Sequence, residues 1–229
     1  MRLPQSQWCY RPYVAVDVPQ RAPVERGSGV TFGSFTQFPK LTVAMRSLWA
    51  RILREVPGSR LTVAGVPQGS VRDELLQTLA GYGVDSTRVT LLPFMSLRDY
   101  LLAFGDVDIA LDTSPYSGGT TTCDALWMGA PVLTLPGVRP ASRSAASILA
   151  TMGLTDWIAT SPEDYVRRAV RFASEPQTIA RLHRSLRDRM AASPLTDEVR
   201  FARDLEQLYR MLWRRWCASR PTAPGSAQS

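Results

Sequence analysis

Residues 115–131, PYSGGTTTCDALWMGAP, constrain this chain more than any other stretch. A short apolar run at 107–111 precedes them and another at 131–135 follows, so they must carry the chain from one strand to the next through a helix. Two glycines and three threonines open that helix, and Gly129 and Pro131 close it after about two turns. A helix that starts this way presents unpaired backbone N–H groups, hydroxyl donors and the positive end of its dipole. Those features suit a phosphate or diphosphate, and Gly118 and Gly119 remove side chains that would keep a ligand from the backbone. Asp124 reads as a first-turn acid placed to take ribose hydroxyls. The same residues also fit a second reading: an ordinary helix start with threonines at the N-cap and an acid in the first turn.

The rest of the chain sets this unit in a larger pattern. Strand-like runs at 30–35, 60–64, 88–92, 107–111 and 131–135 alternate with helical periodicity at about 42–56, 71–82 and 97–104 and in the threonine-rich segment. Thr42 is placed to cap the first helix, whose apolar face carries Met45, Leu48, Trp49, Ile52, Leu53 and Val56. Five βα units predict an α/β fold with a doubly wound, mainly parallel sheet, and ligands of such sheets lie outside the carboxyl ends of the strands. The loops leaving those ends hold Gln37 and Lys40, then 93–95, then 118–124. Further helices follow at 141–152, after the cap-like Ser161-Pro162, and at 176–192. A long last helix carries Leu205, Leu208, Tyr209, Leu212, Trp213 and Trp216 at spacings of three and four. Residues 1–28 read as a lead-in with Trp8, Tyr10 and Tyr13 as anchors. Residues 29–218 read as the folded lobe and 219–229 as a disordered tail.

Charge and cysteine content exclude several chemistries. Of the 27 basic residues, Lys40 is lysine and the other 26 are arginine, giving a net charge of +7. The arginines at 181, 184, 187, 189, 210, 214 and 215 fall on polar helix faces among acids, so neither nucleic acid nor membrane is the expected partner. A lone lysine at a predicted phosphate loop suits a compact cation facing a leaving group. Three separated cysteines and one histidine, His183, leave no metal or disulfide spacing. His183 reads as a surface residue. Arg143 reads as a structural residue bonding loop carbonyls, with an approach to the diphosphate as the alternative. The first twenty residues lack an apolar signal core, so a cytoplasmic location is expected.

Several stretches carry a resemblance. They are residues 32–40 (FGSFTQFPK), 48–53, 56–60, 108–112, 118–131, 141–147 and 193–195, in order through roughly 30–215. Here the chain resembles the C-terminal catalytic lobe of glycosyltransferase family 41, the protein O-GlcNAc transferases and their bacterial TPR-containing relatives. The resemblance implies one Rossmann-like lobe of a GT-B enzyme that transfers N-acetylglucosamine from UDP-N-acetylglucosamine to Ser or Thr of a protein, with inversion and without metal or other cofactor. It implies that Gln37 and Lys40 reach the diphosphate, that Thr120, Thr121 and Thr122 donate to it, and that Phe94 and Met95 lie along the uracil. Asp124 would take the ribose. Tyr100 stands where some relatives have a histidine packed on the base. The protein acceptor would be gathered by a first lobe and TPR repeats ahead of this region. A chain beginning near the lobe junction is expected to transfer little alone and to expose the stripe of its last helix. A non-catalytic nucleotide-binding module working with a separate first-lobe protein is the competing reading.

Overall fold

All five strands run parallel, in the spatial order β3-β2-β1-β4-β5. In the computed structural model, residues 3–19, 21–27 and 29–219 are described. The strands are β1 (Thr31–Ser34), β2 (Arg60–Val63), β3 (Val89–Leu91), β4 (Ile109–Leu111) and β5 (Val132–Leu133). The helices are α1 (Val43–Glu55), α2 (Ser70–Gly81), α3 (Leu97–Ala103) and α4 (Thr120–Trp127). After the sheet come α5 (Ser144–Thr151), α6 (Pro162–Ala173), α7 (Pro176–Ala191) and α8 (Glu198–Ser219). Register is set by Phe32, which pairs with Leu61 on one side and Ile109 on the other. These three side chains are fully buried, as strands covered on both faces require.

Right-handed crossovers put α1 and α2 on one face of the sheet and α4 on the other. Helix contacts agree: α1 packs on α2 and α6, and α4 packs on α5 and α7. The chain therefore winds outward from β1 in one direction and from β4 in the other. The gap between β1 and β4 is the topological switch point, where a crevice opens at the carboxyl ends. Gly33 lets the strands meet closely there, since a Cβ would lie 2.6 Å from Val107 Cγ2.

Local chemistry explains the element ends. Thr42 Oγ1 accepts from Met45 N at 3.3 Å and starts α1, and Ser161 Oγ accepts from Asp164 N at 3.1 Å to start α6. On α1, Met45, Leu48, Trp49, Ile52 and Leu53 are buried, so the expected face is the observed one. Asp164 in turn accepts from the Thr160 N–H and hydroxyl and from Arg167 and Arg168, and the Thr160 and Arg168 bonds hold its carboxyl down at about 2 despite its burial.

Residues 3–27 lie along the lobe. Tyr10 is buried and its N–H donates to Leu195 O at 2.6 Å. Asp108 accepts from Val24 N at 2.6 Å and from Thr31 N at 2.8 Å, tying the lead-in to β1 and β4. Tyr13, expected as an anchor, is 75% exposed. His183 is also placed otherwise than the sequence implied. It is 2% exposed, and its Nε2 lies 2.7 Å from Pro19 O. It faces inward because α7 presents this side to Gly129, where a Cβ would lie 3.0 Å from His183 Nδ1. Helix α8 continues through Ser219, one residue into the segment expected to be a tail, and residues 220–229 fall outside the described residues.

Candidate functional site

The switch point brings together the loop after β1 and the loop after β4. Lys40 sits at the end of a short 3₁₀ turn, Phe38–Lys40, whose geometry is set by Pro39. Its Nζ lies 4.2 Å from the ring centroid of Tyr116, a half-exposed residue of the β4–α4 loop. Thr42 Oγ1 donates to Ser114 O at 3.2 Å and joins the same two loops. Partial burial draws the Lys40 ammonium below its ordinary range, with the negative Asp112 opposing. Lys40 is thus a partly buried cation resting on an aromatic face at the crevice, open to an entering anion.

Asp112 organises the β4–α4 loop from beneath. It is 3% exposed and accepts from Gly118 N at 2.7 Å, Ser117 Oγ at 2.9 Å and Thr134 Oγ1 at 2.6 Å. Burial raises its pKa and these three donors oppose the rise. Gly118 is required by this arrangement. A Cβ there would come within 3.2 Å of Asp112 Oδ1 and 3.0 Å of Thr122 Oγ1.

At the start of α4 the N-cap is Gly119, with no side-chain cap. The threonines are the first three helical residues, so the reading that placed them at the N-cap does not describe this helix. Cys123 N donates to Gly119 O at 3.1 Å, the first backbone bond back to the cap. Thr120 is exposed and Thr121 half-buried, so both can face a ligand. Thr122 points elsewhere than expected. It is 2% exposed and its hydroxyl donates to Gly118 O at 3.0 Å. Gly119 also departs from the expectation of an open approach to the backbone. Trp8 of the lead-in covers it, and a Cβ at Gly119 would fall 2.1 Å from Trp8 Cη2.

Asp124 is the fifth residue of α4, just past the first turn in which the sequence placed it. It is 6% exposed, and its two oxygens accept from different phenols: Oδ1 from Tyr10 at 2.8 Å, Oδ2 from Tyr100 at 3.1 Å. Burial pushes the Asp124 carboxyl up and the two phenols oppose that rise. Both phenols are themselves raised above their ordinary range, first by burial and then by the Asp124 charge. Tyr100 stands edge-on to Phe35 at 5.8 Å and to Phe104 at 5.3 Å, so its ring is packed against the lobe's aromatic cluster. A narrow cavity at the switch point is lined by Phe35, Thr36, Asp112, Thr121 and Thr122.

The remaining expected residues lie on the rim. Gln37 is exposed beside the Lys40 turn. Phe94 is 78% exposed on the loop after β3, and Met95 beside it packs partly on the core. β3 is the edge strand two places from β1, so these two stand further along the rim than the Lys40–Tyr116 pair. Arg143 donates to Gly137 O at 3.1 Å, as expected of a residue bonding loop carbonyls. Tyr10, Trp8, Asp112 and Tyr116 were not picked out as site residues. Trp8 and Tyr10 left a signal as aromatics in the lead-in, and Asp112 and Tyr116 lie inside the stretches 108–112 and 115–131 without standing out there. Among the described residues, no group of three or more His, Cys, Asp or Glu is placed to hold a metal ion. No described helix is long and apolar enough to cross a membrane.

Known proteins share both the sequence and the fold. The family model of Glycosyl transferase family 41 matches residues 21–205. The chain is 41% identical over 220 residues to the tomato (Solanum lycopersicum) "Probable UDP-N-acetylglucosamine--peptide N-acetylglucosaminyltransferase SPINDLY". That match covers 95% of this chain and 24% of the relative, so the chain spans about a quarter of the length of such relatives. Among solved structures, a Thermobaculum terrenum O-GlcNAc transferase mutant superposes with a TM-score of 0.81 at 32% identity, covering 92% of this chain and 40% of that one. The C-terminal domain of a Francisella tularensis group 1 glycosyltransferase shares the fold alone, with a TM-score of 0.57 at 13% identity, and 96% of it is covered. A parallel, doubly wound lobe of this extent is one Rossmann-like lobe of the GT-B architecture, and with its sequence match across four-fifths of its length the chain belongs to glycosyltransferase family 41.

Proposed function

We propose that this chain is the UDP-sugar-binding lobe of a protein O-GlcNAc transferase-like glycosyltransferase. The observation that carries the reading is the Lys40–Tyr116 pair at the β1/β4 switch point, which joins the loop after β1 to the loop that leads into α4, whose start has no side-chain cap. A diphosphate seated there would meet an ammonium, the Thr120 and Thr121 hydroxyls and free helical N–H groups. When the sugar–phosphate bond breaks, negative charge grows on the departing diphosphate, and the ammonium and the helix start would offset it. No metal is needed for that stabilisation, because the lysine and the helix terminus supply the positive potential.

The sugar and the acceptor rest on the relatives, whose printed names describe transfer of N-acetylglucosamine to peptide. The full reaction requires an acceptor held against the anomeric carbon. Such positioning contributes ~7–11 kcal/mol in well-oriented systems and needs groups on both sides of the cleft. A first lobe, an acceptor-gathering TPR region and a cytoplasmic setting belong to the same proposal.

Calorimetry with UDP, UMP and GDP tests the nucleotide assignment. UDP is expected to bind and UMP to bind more weakly. Absence of heat with every diphosphate, for a folded protein, would end the reading. Lys40→Ala is expected to weaken diphosphate binding by about 1.5–3 kcal/mol through loss of a charge-assisted contact. Lys40→Arg should recover only part, because a guanidinium takes more room than the compact ammonium beside a departing diphosphate. Equal affinity in all three proteins places Lys40 outside the site.

A further inference from the structure

We infer that Tyr10, reaching in from the lead-in, is a positioning residue of the nucleotide site, holding the Asp124 carboxylate in the orientation that receives the ribose hydroxyls. This rests on the nucleotide reading above and adds to it a residue 114 positions away in sequence. The geometry is specific. Tyr10 OH donates to Oδ1 and Tyr100 OH donates to Oδ2, so the carboxylate plane is fixed from two separate elements. An ionised carboxylate has about four acceptor positions, so each oxygen keeps capacity for a further donor such as a vicinal diol.

Tyr10 is itself held firmly. Its backbone N–H donates to Leu195 O, and its ring tilts against Trp127 at 6.1 Å. Trp127 is in turn covered by the Arg187 guanidinium, which donates to its carbonyl at 2.8 Å. Two residues upstream, on the same side of the extended lead-in, Trp8 lies on Gly119. The lead-in therefore touches α4 at three points: its N-cap, its fifth residue and its last residue, Trp127. A buried carboxylate kept only for packing would be costly, and an apolar side chain of similar size would serve that purpose better. A buried carboxylate that two phenols orient, while its spare lone pairs remain, is what a diol-binding group requires.

The test compares Tyr10→Phe with the wild-type chain, using whichever of UDP and GDP binds more tightly and its 2′,3′-dideoxy counterpart. Tyr10→Phe keeps the ring against Trp127, and thermal melting checks that the fold survives. For the ribonucleotide, Tyr10→Phe is expected to weaken binding about tenfold. For the dideoxy nucleotide the change should stay within about twofold, because the group that Asp124 would engage is gone. Equal losses for both nucleotides would mean that Tyr10 only supports the fold, and unchanged affinity for both would remove it from the site. A wild-type preference for ribo over dideoxy near one would also overturn the inference, with no substitution needed. Failure of the wild-type chain to bind either diphosphate would instead sink the proposed function itself.

Discussion

Residues 3–19 and 21–27 show no helical periodicity, yet they are stitched into the lobe. Helix α8 is a regular amphipathic helix, yet none of its residues is buried. On α8, Tyr209 and Trp213 are each 62% exposed, and the Trp213 and Trp216 rings stack on one another at 4.9 Å. The lead-in is held by single contacts of high specificity: Tyr10 on Asp124, Trp8 on Gly119, Val24 on Asp108, and Pro19 on His183. Periodicity records that a helix face demands cover. It does not say whether the covering surface lies in the same chain. An irregular segment sends no such signal, because each of its contacts is made by one residue with a partner far away in sequence.

The contrast is sharpest for aromatic truncation. Tyr10→Ala should cost about 3–4 kcal/mol in urea unfolding, since it empties a packed site and removes a donor from buried Asp124. Trp213→Ala should change the stability of the monomer by no more than about 0.5 kcal/mol. A comparable loss for both would mean that α8 is packed in solution and that the difference between the two ends is not real.

The lead-in should also carry a pH-dependent contribution through Asp108. Burial raises this carboxyl to about 6, against the opposing bonds from Thr31 and Val24 N–H groups. A raised folded-state pKa means that the folded protein favours the neutral acid. The stabilisation is therefore full below the unfolded pKa, near 4, and is lost as pH rises through about 6. Relative to Asp108→Asn, the wild-type chain is expected to lose about 2–3 kcal/mol between pH 4 and pH 7. A flat difference across that range would show that this carboxyl is ionised in the folded protein. The Val24 and Thr31 N–H bonds would then outweigh its burial.

A smaller effect sharpens the other contact. Gly119→Ala should destabilise by about 1–2 kcal/mol, because its methyl group collides with the Trp8 ring. In a Trp8→Ala background the same substitution should cost almost nothing, giving a clear coupling in a double-mutant cycle. Additive losses would mean that Trp8 does not sit on Gly119 in solution.

Much of the architecture was legible from the chain alone. Strand and helix runs differ in period, and caps such as Thr42 and Ser161 act over three residues, so local rules place them. The Lys40 turn was legible as well, through a lone lysine after Pro39 at a strand's carboxyl end. Thr122 was misread because nothing local shows which of three successive hydroxyls turns inward. On a helix they point about 100° apart, and only Gly118, seated by Asp112, decides that the third is consumed. His183 was misread for the same reason. Its arginine neighbours on α7 describe the outer face, while its own direction is set by Gly129 in the turn after α4.

The sequence by itself determined the alternation of strands and helices, the parallel sheet that follows from it, the rim on which the loops gather, and the motifs that carry the family. Those depend on interactions within a few residues and on a handedness every L-amino-acid chain shares. Only the tertiary structure decided that β1 and β4 flank the crevice, that Tyr10 and Tyr100 close on Asp124 from different elements, and that Trp8 fills the space over Gly119. Each of those contacts joins residues that are neighbours only after the sheet has ordered and the lead-in has been laid across it. Their free energy is gained after the chain has lost the entropy of closing long loops, so no local pattern can record it.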